Sequence, residues 1–231
     1  MAISYIGAGT VAAVASGNLT PGEPSGAQAG DLLICSIGSY GPGASVSCTM
    51  SAPWVCAAED FYSYHSSISV WSCIRGSTAP PYLVTQSGGN STIARVVAYR
   101  GLSGVINGST ASYSSTNIIS FVLSGYELTT TVPGCLIFYA GALNVDTTVS
   151  SWDSDDPTYL PTTLFQNLTT LGSDTTLFAG AAVQEVAGEL PLVHLASSAF
   201  TRAVSVTVAF EPASGVSIGP SGGVAYGGLF Y

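Results

Sequence analysis

Charge is the scarcest property of this 231-residue sequence. It contains four arginines and no lysine, and charged residues make up 7% of the chain, against roughly 25% in an ordinary soluble domain. With 13 acidic residues the net charge is −9. The basic patch typical of a nucleic-acid-binding protein is therefore missing, and we expect no direct contact with nucleic acid.

Long apolar segments are missing as well. The longest apolar run, CLIFYAGAL (135–143), is far shorter than the roughly 20 residues that a membrane-spanning helix needs. Residues 1–20 have no basic segment, and glycines interrupt the stretch that would be apolar, so we predict no signal peptide. Hydrophobic residues still make up 47% of the chain, and this composition predicts a folded domain with a large core rather than disorder.

Cysteine is present without a recognisable motif. The five cysteines show no C-x-x-C spacing, which argues against a zinc ribbon or a thioredoxin-like site. Cys35, Cys73 and Cys135 lie in apolar runs, where cysteine usually acts as a small core residue. Cys48 and Cys56 flank a short proline-containing turn and could pair if that segment forms a hairpin.

The sequence predicts neither catalytic residues nor a cofactor, and so a protein that is not an enzyme. His65 and His194 have too few nitrogen, thiolate or carboxylate partners nearby for a histidine-based metal site, and we expect them at exposed or edge-strand positions. Glu59 and Asp60 lie beside Phe61, but a glycosidase needs a second carboxylate several ångströms away, which sequence spacing does not supply.

The densest acidic cluster contains Asp153, Asp155 and Asp156. Three carboxylates on one loop are hard oxygen ligands that could coordinate Ca²⁺. The loop lacks the glycine and the distal glutamate of an EF-hand, so we interpret it as a solvated acidic turn, with calcium as the alternative.

Short runs rich in Val, Ile, Tyr and Phe, separated by Gly and Pro, predict an all-β fold with little helix. Many short strands with such turns are typical of a β-sandwich or jelly roll. The predicted strands are 30–39, 53–58, 66–75, 82–86, 91–100, 117–123, 134–143, 176–186, 192–196 and 202–211.

Alternation along residues 202–210 predicts a half-buried strand, with Thr207 on the solvent face. The residues that we predict for the core, here and in the other strands, are Leu32, Ile34, Val97, Tyr99, Val204, Val206, Val208 and Phe210.

The two halves of the chain resemble each other. AGDLLICSIGSY (29–40) is similar to PGCLIFYAGALN (133–144) at an offset of 104, and STIARVVAY (91–99) is similar to RAVSVTVAF (202–210) at an offset of 111. This likeness predicts one sandwich built from two similar half-motifs, because half of the chain alone could hardly bury both faces of its sheet. Shared β-rich composition is the alternative explanation.

We divide the chain into an N-terminal strand or arm (1–24), a β-sandwich (25–212) and a Gly-rich C-terminal arm (213–231). The large side chains near the C-terminus would be costly to leave in water, so we expect the arm to dock on a neighbouring subunit or another protein. Packing back onto its own sandwich is the alternative. The residues concerned are Tyr226, Leu229, Phe230 and Tyr231.

The predicted surface is unusually poor in charge. A compact chain of this mass exposes on the order of 10,000 Å², so its acidic and basic residues together give one charge per roughly 600 Å². We expect other copies of the chain, in a trimer for example, or a larger assembly to cover part of it. A neutral surface rich in Ser and Thr is the alternative. Aromatic residues near predicted loops also allow glycan stacking, namely Tyr40, Trp54, Tyr62, Tyr64 and Trp152.

Three segments resemble a recurring pattern in virion-associated proteins of tailed bacteriophages: GDLLICSIGSYG (30–41), SSISVWSCIRG (66–76) and STIARVVAYRGLSG (91–104). The matching positions are Gly30 to Leu33 and Tyr99 to Gly101. A second, degenerate copy of the pattern ends at Phe210 to Pro212. The resemblance covers most of residues 25–212 and implies a β-sandwich virion component without a known active site. The usual Pro-Pro-Gly-Trp turn is reduced here to Ala52-Pro53-Trp54.

Together these observations predict a non-enzymatic structural protein on the virion surface, a capsid decoration or head-fibre subunit assembled in the host cytoplasm. Its expected partners are copies of itself and other virion proteins such as the capsid shell. The alternative is a tail or fibre adsorption module that binds host-surface glycan.

Overall fold

The structure is a computed structural model that describes residues 2–41, 46–62, 66–123 and 128–214, with the side chains of residues 62, 115–119, 200 and 201 left aside. Within these residues the chain forms strands and no helix, so none of them belongs to a helix that could span a membrane. All strand pairs are antiparallel. The prediction of an all-β, sandwich-like fold is confirmed.

In chain order the strands are β1 (Ser4–Ala8), β2 (Ala12–Val14), β3 (Leu32–Tyr40), β4 (Ser47–Met50), β5 (Val55–Tyr62), β6 (Ser66–Ile74), β7 (Val84–Ser87), β8 (Ser91–Arg100), β9 (Leu102–Leu123), β10 (Thr129–Thr130), β11 (Cys135–Leu143), β12 (Val149–Ser154), β13 (Thr162–Thr169), β14 (Thr175–Gln184), β15 (Gly188–Glu189) and β16 (Val193–Pro212).

Two central sheets have the same strand order. In the first sheet the order is β5–β6–β3–β8, and β1 and then β2 pair with the other edge of β8. In the second sheet the order is β13–β14–β11–β16, and β9 pairs with the other edge of β16. Each sheet thus comes from one half of the chain. Both strands within the predicted N-terminal segment, 1–24, belong to the first sheet.

The registers of the two sheets correspond as well. Leu32 pairs with Tyr99 in the first sheet, and Leu136 pairs with Phe210 in the second. These are the positions that the sequence offsets of 104 and 111 place over each other. Before each of the two strands a glycine with positive φ turns the chain: Gly30 N–H donates to Arg75 O over 2.9 Å, and Gly134 N–H donates to Gln184 O over 2.7 Å.

The main core lies between the two sheets. All eight residues predicted for the core are fully buried there. The expectation that β16 leaves its other face in solvent is wrong, because Thr207 has 0% of its surface exposed. Its neighbour Ala209 packs in a second apolar cluster on the outer face of the second sheet.

Outer layers explain this additional burial. Over the first sheet, β4 pairs with β7, and Met50 and Val84 pack against the outward-facing side chains of β3. Over the second sheet, β12 and the last residues of β9 pair with the first part of β16. Phe121, Trp152 and Leu195 of these strands cover the outward-facing side chains of β11 and β14.

The five cysteines are all free thiols, so Cys48 and Cys56 are not paired. Cys35, Cys48 and Cys73 belong to the outer core of the first half. Burial raises the pKa of Cys48 to about 11 and that of Cys73 to about 12. These thiols are therefore protonated at neutral pH and act as apolar core groups.

Candidate functional site

The GDLL and AYRG segments, which carry the phage resemblance in the first half of the chain, meet at one end of the first sheet. Arg100 Nε lies 2.8 Å from Asp31 Oδ1, and Arg100 Nη2 lies 2.9 Å from Asp31 Oδ2, so the guanidinium donates two hydrogen bonds to the carboxylate. The Asp31 side chain is only 2% exposed, whereas that of Arg100 is 34% exposed. The hydrogen bonds to Asp31 raise the pKa of Arg100, which therefore stays charged.

Backbone groups complete this pair, which we call the Asp31–Arg100 unit. The Gln28 N–H donates to Asp31 Oδ2 over 2.8 Å, and the Arg75 N–H donates to the Asp31 carbonyl over 2.9 Å. The unit ties the segment before β3 to the ends of β6 and β8. A buried carboxylate with such partners is a structural element that holds strands in place.

The second half keeps the strands but not the ion pair. The repeat places Cys135 where the first half has Asp31, and Glu211 where it has Arg100. Cys135 Sγ donates to the Val132 carbonyl over 3.3 Å, and Glu211 accepts a 2.8 Å hydrogen bond from the Asn107 amide. Burial, with a contribution from the Glu211 charge, raises the pKa of Cys135 to about 11.

Two further arginines also bind within the fold. Arg75 forms an ion pair with Glu23, and the hydrogen bond from Arg75 holds the pKa of Glu23 below its usual value. Arg95 connects the two sheets: its guanidinium carbon lies 5.3 Å from the centre of the Phe165 ring, and Nη1 donates to Asn167 Oδ1 over 3.1 Å. Cationic side chains are thus used mainly for internal contacts.

The predicted calcium ligands lie on the outer layer of the second half. Asp153 and Asp155 line a surface groove of about 300 Å³ together with His194, whose Nε2 lies 3.2 Å from Asp155 Oδ1. Asp156 instead accepts hydrogen bonds from the Thr158 hydroxyl and N–H, which lower the pKa of Asp156. No group of three His, Cys, Asp or Glu side chains in the described part of the chain could hold a metal ion.

The aromatic residues proposed for glycan stacking are mostly unsuitable or outside the described residues. Trp54 is buried and donates to the Pro81 carbonyl over 2.7 Å. Trp152 donates to Thr163 Oγ1 and packs edge-on against Tyr139 and Phe178. Tyr40 is half-buried. The Tyr62 side chain, Tyr64 and His65 lie outside the described residues, as do the arm residues Tyr226, Leu229, Phe230 and Tyr231.

A cleft that the sequence did not indicate lies between β4, β5 and β6, with a volume of about 180 Å³. Register places Glu59 opposite Ser69 and Phe61 opposite Ser67, so these four side chains share one face of the sheet. Phe61 is 73% exposed. Asp60 Oδ1 accepts the Phe61 N–H over 2.8 Å, and burial raises the pKa of the Asp60 carboxyl.

A comparison of the chain with protein-family models, curated proteins and solved structures found no match. The resemblance to tailed-phage virion proteins therefore depends on the sequence segments alone. In the structure, the GDLL and AYRG segments meet in the Asp31–Arg100 unit.

Proposed function

We propose that the protein is a non-enzymatic structural component of a tailed-bacteriophage virion, a capsid decoration or head-fibre subunit on the particle surface. The Asp31–Arg100 unit is the main support for this proposal. The motif that resembles virion proteins consists of residues that bind one another and the backbone, as expected of a motif that preserves a fold.

Exposed apolar side chains at the sheet edges support an assembled state. β5 and β13 are the last strands of the two central sheets, and an edge strand offers unpaired backbone groups to a neighbour. Val55 and Phe61 on β5, and Leu168 on β13, are exposed apolar residues. Val55 at one end of β5 and Leu168 on β13 thus offer apolar contacts, whereas the middle of β5 carries the Glu59 and Asp60 carboxylates.

The proposal is tested on particles purified from cultures that carry the gene. Mass spectrometry of the purified particles should detect the protein, and immunogold electron microscopy should place it on the head. Label on the tail would favour the adsorption-module alternative. Absence of the protein from purified particles that contain the other virion proteins would contradict the proposal.

Self-association is tested separately by sedimentation velocity. We expect the purified protein to sediment as an oligomer at tens of micromolar in ordinary salt, since its surface is poor in charge and its edge strands expose apolar residues. Replacing Val55 on the edge strand with Lys should shift the distribution towards monomer, whereas replacing Val186, an exposed loop residue, with Lys should not. A monomer throughout this range would remove the argument from surface composition.

A further inference from the structure

Two edge strands, β2 of the first sheet and β13 of the second, lie on the same side of the sandwich. Arg95 on β8 connects them, since it donates to the Gly9 carbonyl just before β2 over 2.9 Å and to Asn167 Oδ1 on β13 over 3.1 Å. The Ser173 N–H after β13 also donates to a carbonyl of the first half, that of Asn90, over 3.3 Å. We call this surface the β2–β13 side.

The segments that form the β2–β13 side are free of charge. Residues 1–22 and 157–173 contain no acidic or basic side chain, although the whole chain has 13 acidic residues and a net charge of −9. The opposite side of the first sheet ends at β5, which carries Glu59 and Asp60. Two copies of so acidic a chain repel each other where carboxylates face one another, so the β2–β13 side is the more favourable for a second copy.

The edge of β13 is ready to pair with another strand. Within the described part of the chain β13 pairs only with β14, and no other backbone hydrogen bond reaches residues 162–169. An unpaired edge offers its N–H and carbonyl groups to a further strand. Val11, Leu168 and Leu171, in or next to the two strands, are exposed apolar residues that such a contact would cover.

The size of this side agrees with a small dimer interface. The 8 residues of β13 extend over about 26 Å, and two sheets about 10 Å apart, with the side chains on their outer faces, give a width of about 20 Å. Each copy therefore buries about 500 Å², and the two together about 1,000 Å², which is the lower limit for a specific interface.

We propose that two copies of the chain associate through the β2–β13 side, with their β13 strands paired antiparallel across a two-fold axis. A two-fold axis brings the same residues of both copies together. The proposal does not depend on the virion role, because it concerns the purified chain alone. A contact at Val55 on β5 is a separate interface.

Charged substitutions at Leu168 test the two-fold contact by sedimentation velocity. Leu168→Asp and Leu168→Lys should each raise the dissociation constant of the dimer about tenfold or more, because either one places two like charges in one short paired segment. A general effect of net charge would instead make the two variants change association in opposite directions. The matched controls are Leu83→Asp and Leu83→Lys, because Leu83 and Leu168 are each 44% exposed; they should leave the dissociation constant unchanged. Thermal unfolding shows whether each variant is folded.

Hydrogen exchange on the unmodified chain locates the interface without any substitution. Amide exchange in residues 162–169 should be slower at a hundred micromolar than at one micromolar, because pairing protects the outer N–H groups of β13. A monomer at both concentrations would overturn the proposal. So would protection confined to β5, a dimer that both Leu168 variants leave intact, or tighter association of Leu168→Lys.

Discussion

At the residue scale, three of the four arginines have well-defined partners within the fold. Arg100 binds a buried carboxylate, Arg75 binds Glu23, and Arg95 joins the two sheets through Phe165 and Asn167. A planar guanidinium can donate two parallel hydrogen bonds and stack on an aromatic ring, which an ammonium group does less well. These contacts offer a physical reason why arginine is present while lysine is missing.

Removing Arg100 should destabilise the protein strongly. Arg100→Met keeps the apolar stem but leaves the Asp31 carboxylate buried without its cation, and we expect a loss of about 3 kcal/mol in the free energy of unfolding. Urea titration measures this loss. The double variant with Asp31→Asn should recover part of it, because the uncompensated charge is gone. Equal stability of Arg100→Met and the unmodified chain would mean that the Asp31–Arg100 unit contributes little.

Asp60 should reduce stability at neutral pH. Its pKa is raised by burial, so the folded state binds the proton more tightly than the unfolded state. The free energy of unfolding therefore falls as the pH rises from the pKa of Asp60 in the unfolded state through its pKa in the folded state. It stays lower at every pH above that range. Asp60→Asn lacks this titration and should be more stable than the unmodified chain at pH 7. The difference in stability should close below pH 3.8, the ordinary pKa of an aspartic acid; a difference independent of pH would contradict the assignment.

At the element scale, the likeness of the two halves and the core-facing side of β16 could be predicted from the sequence, but the covering of the strands could not. Alternation in β16 and the two offsets depend on local sequence patterns. The offsets map Leu32 onto Leu136 and Tyr99 onto Phe210, and these residues form corresponding pairs in the two sheets. The burial of Thr207 depends on residues far away in sequence that fold over the outer face, such as Leu128 and Leu190. The cleft at Asp60 was missed for the same reason, since it needs β4 to lie beside β5 and β6.

Thr207 gives a direct test of that buried outer face. Its Oγ1 has no hydrogen-bond partner among the described residues, so the nearly isosteric Thr207→Val should stabilise the protein by about 1 kcal/mol. Thr207→Asp should destabilise it as severely as Val208→Asp on the opposite face, because both place an unpaired charge in a core. Thermal and urea unfolding measure both effects. Tolerance of Thr207→Asp would show that this face is open to solvent.

At the scale of the whole molecule, the two halves are joined by packing rather than by strand pairing. β1 to β8 pair only with one another, and so do β9 to β16, within the described residues. Between the halves lies the main core, to which Leu32 and Val97 contribute from one side and Val206 and Phe210 from the other. Either half alone would expose this apolar face to water.

Cutting the chain between Gly101 and Leu102 should therefore separate two fragments that fold only together. Each large side chain of the main core contributes roughly 1.5–3 kcal/mol to the free energy of unfolding when it is buried. A single fragment loses this contribution for every side chain on the inner face of its sheet. We expect fragments 1–101 and 102–231 each to lack cooperative unfolding, and an equimolar mixture to regain the circular dichroism and dispersed NMR spectrum of the intact chain. A second fragment that carries Val206→Asp should fail to complement, because the charge faces the first sheet. If one fragment alone gives a dispersed spectrum and a cooperative transition, that half is an independent domain, and the main core is an interface between two domains.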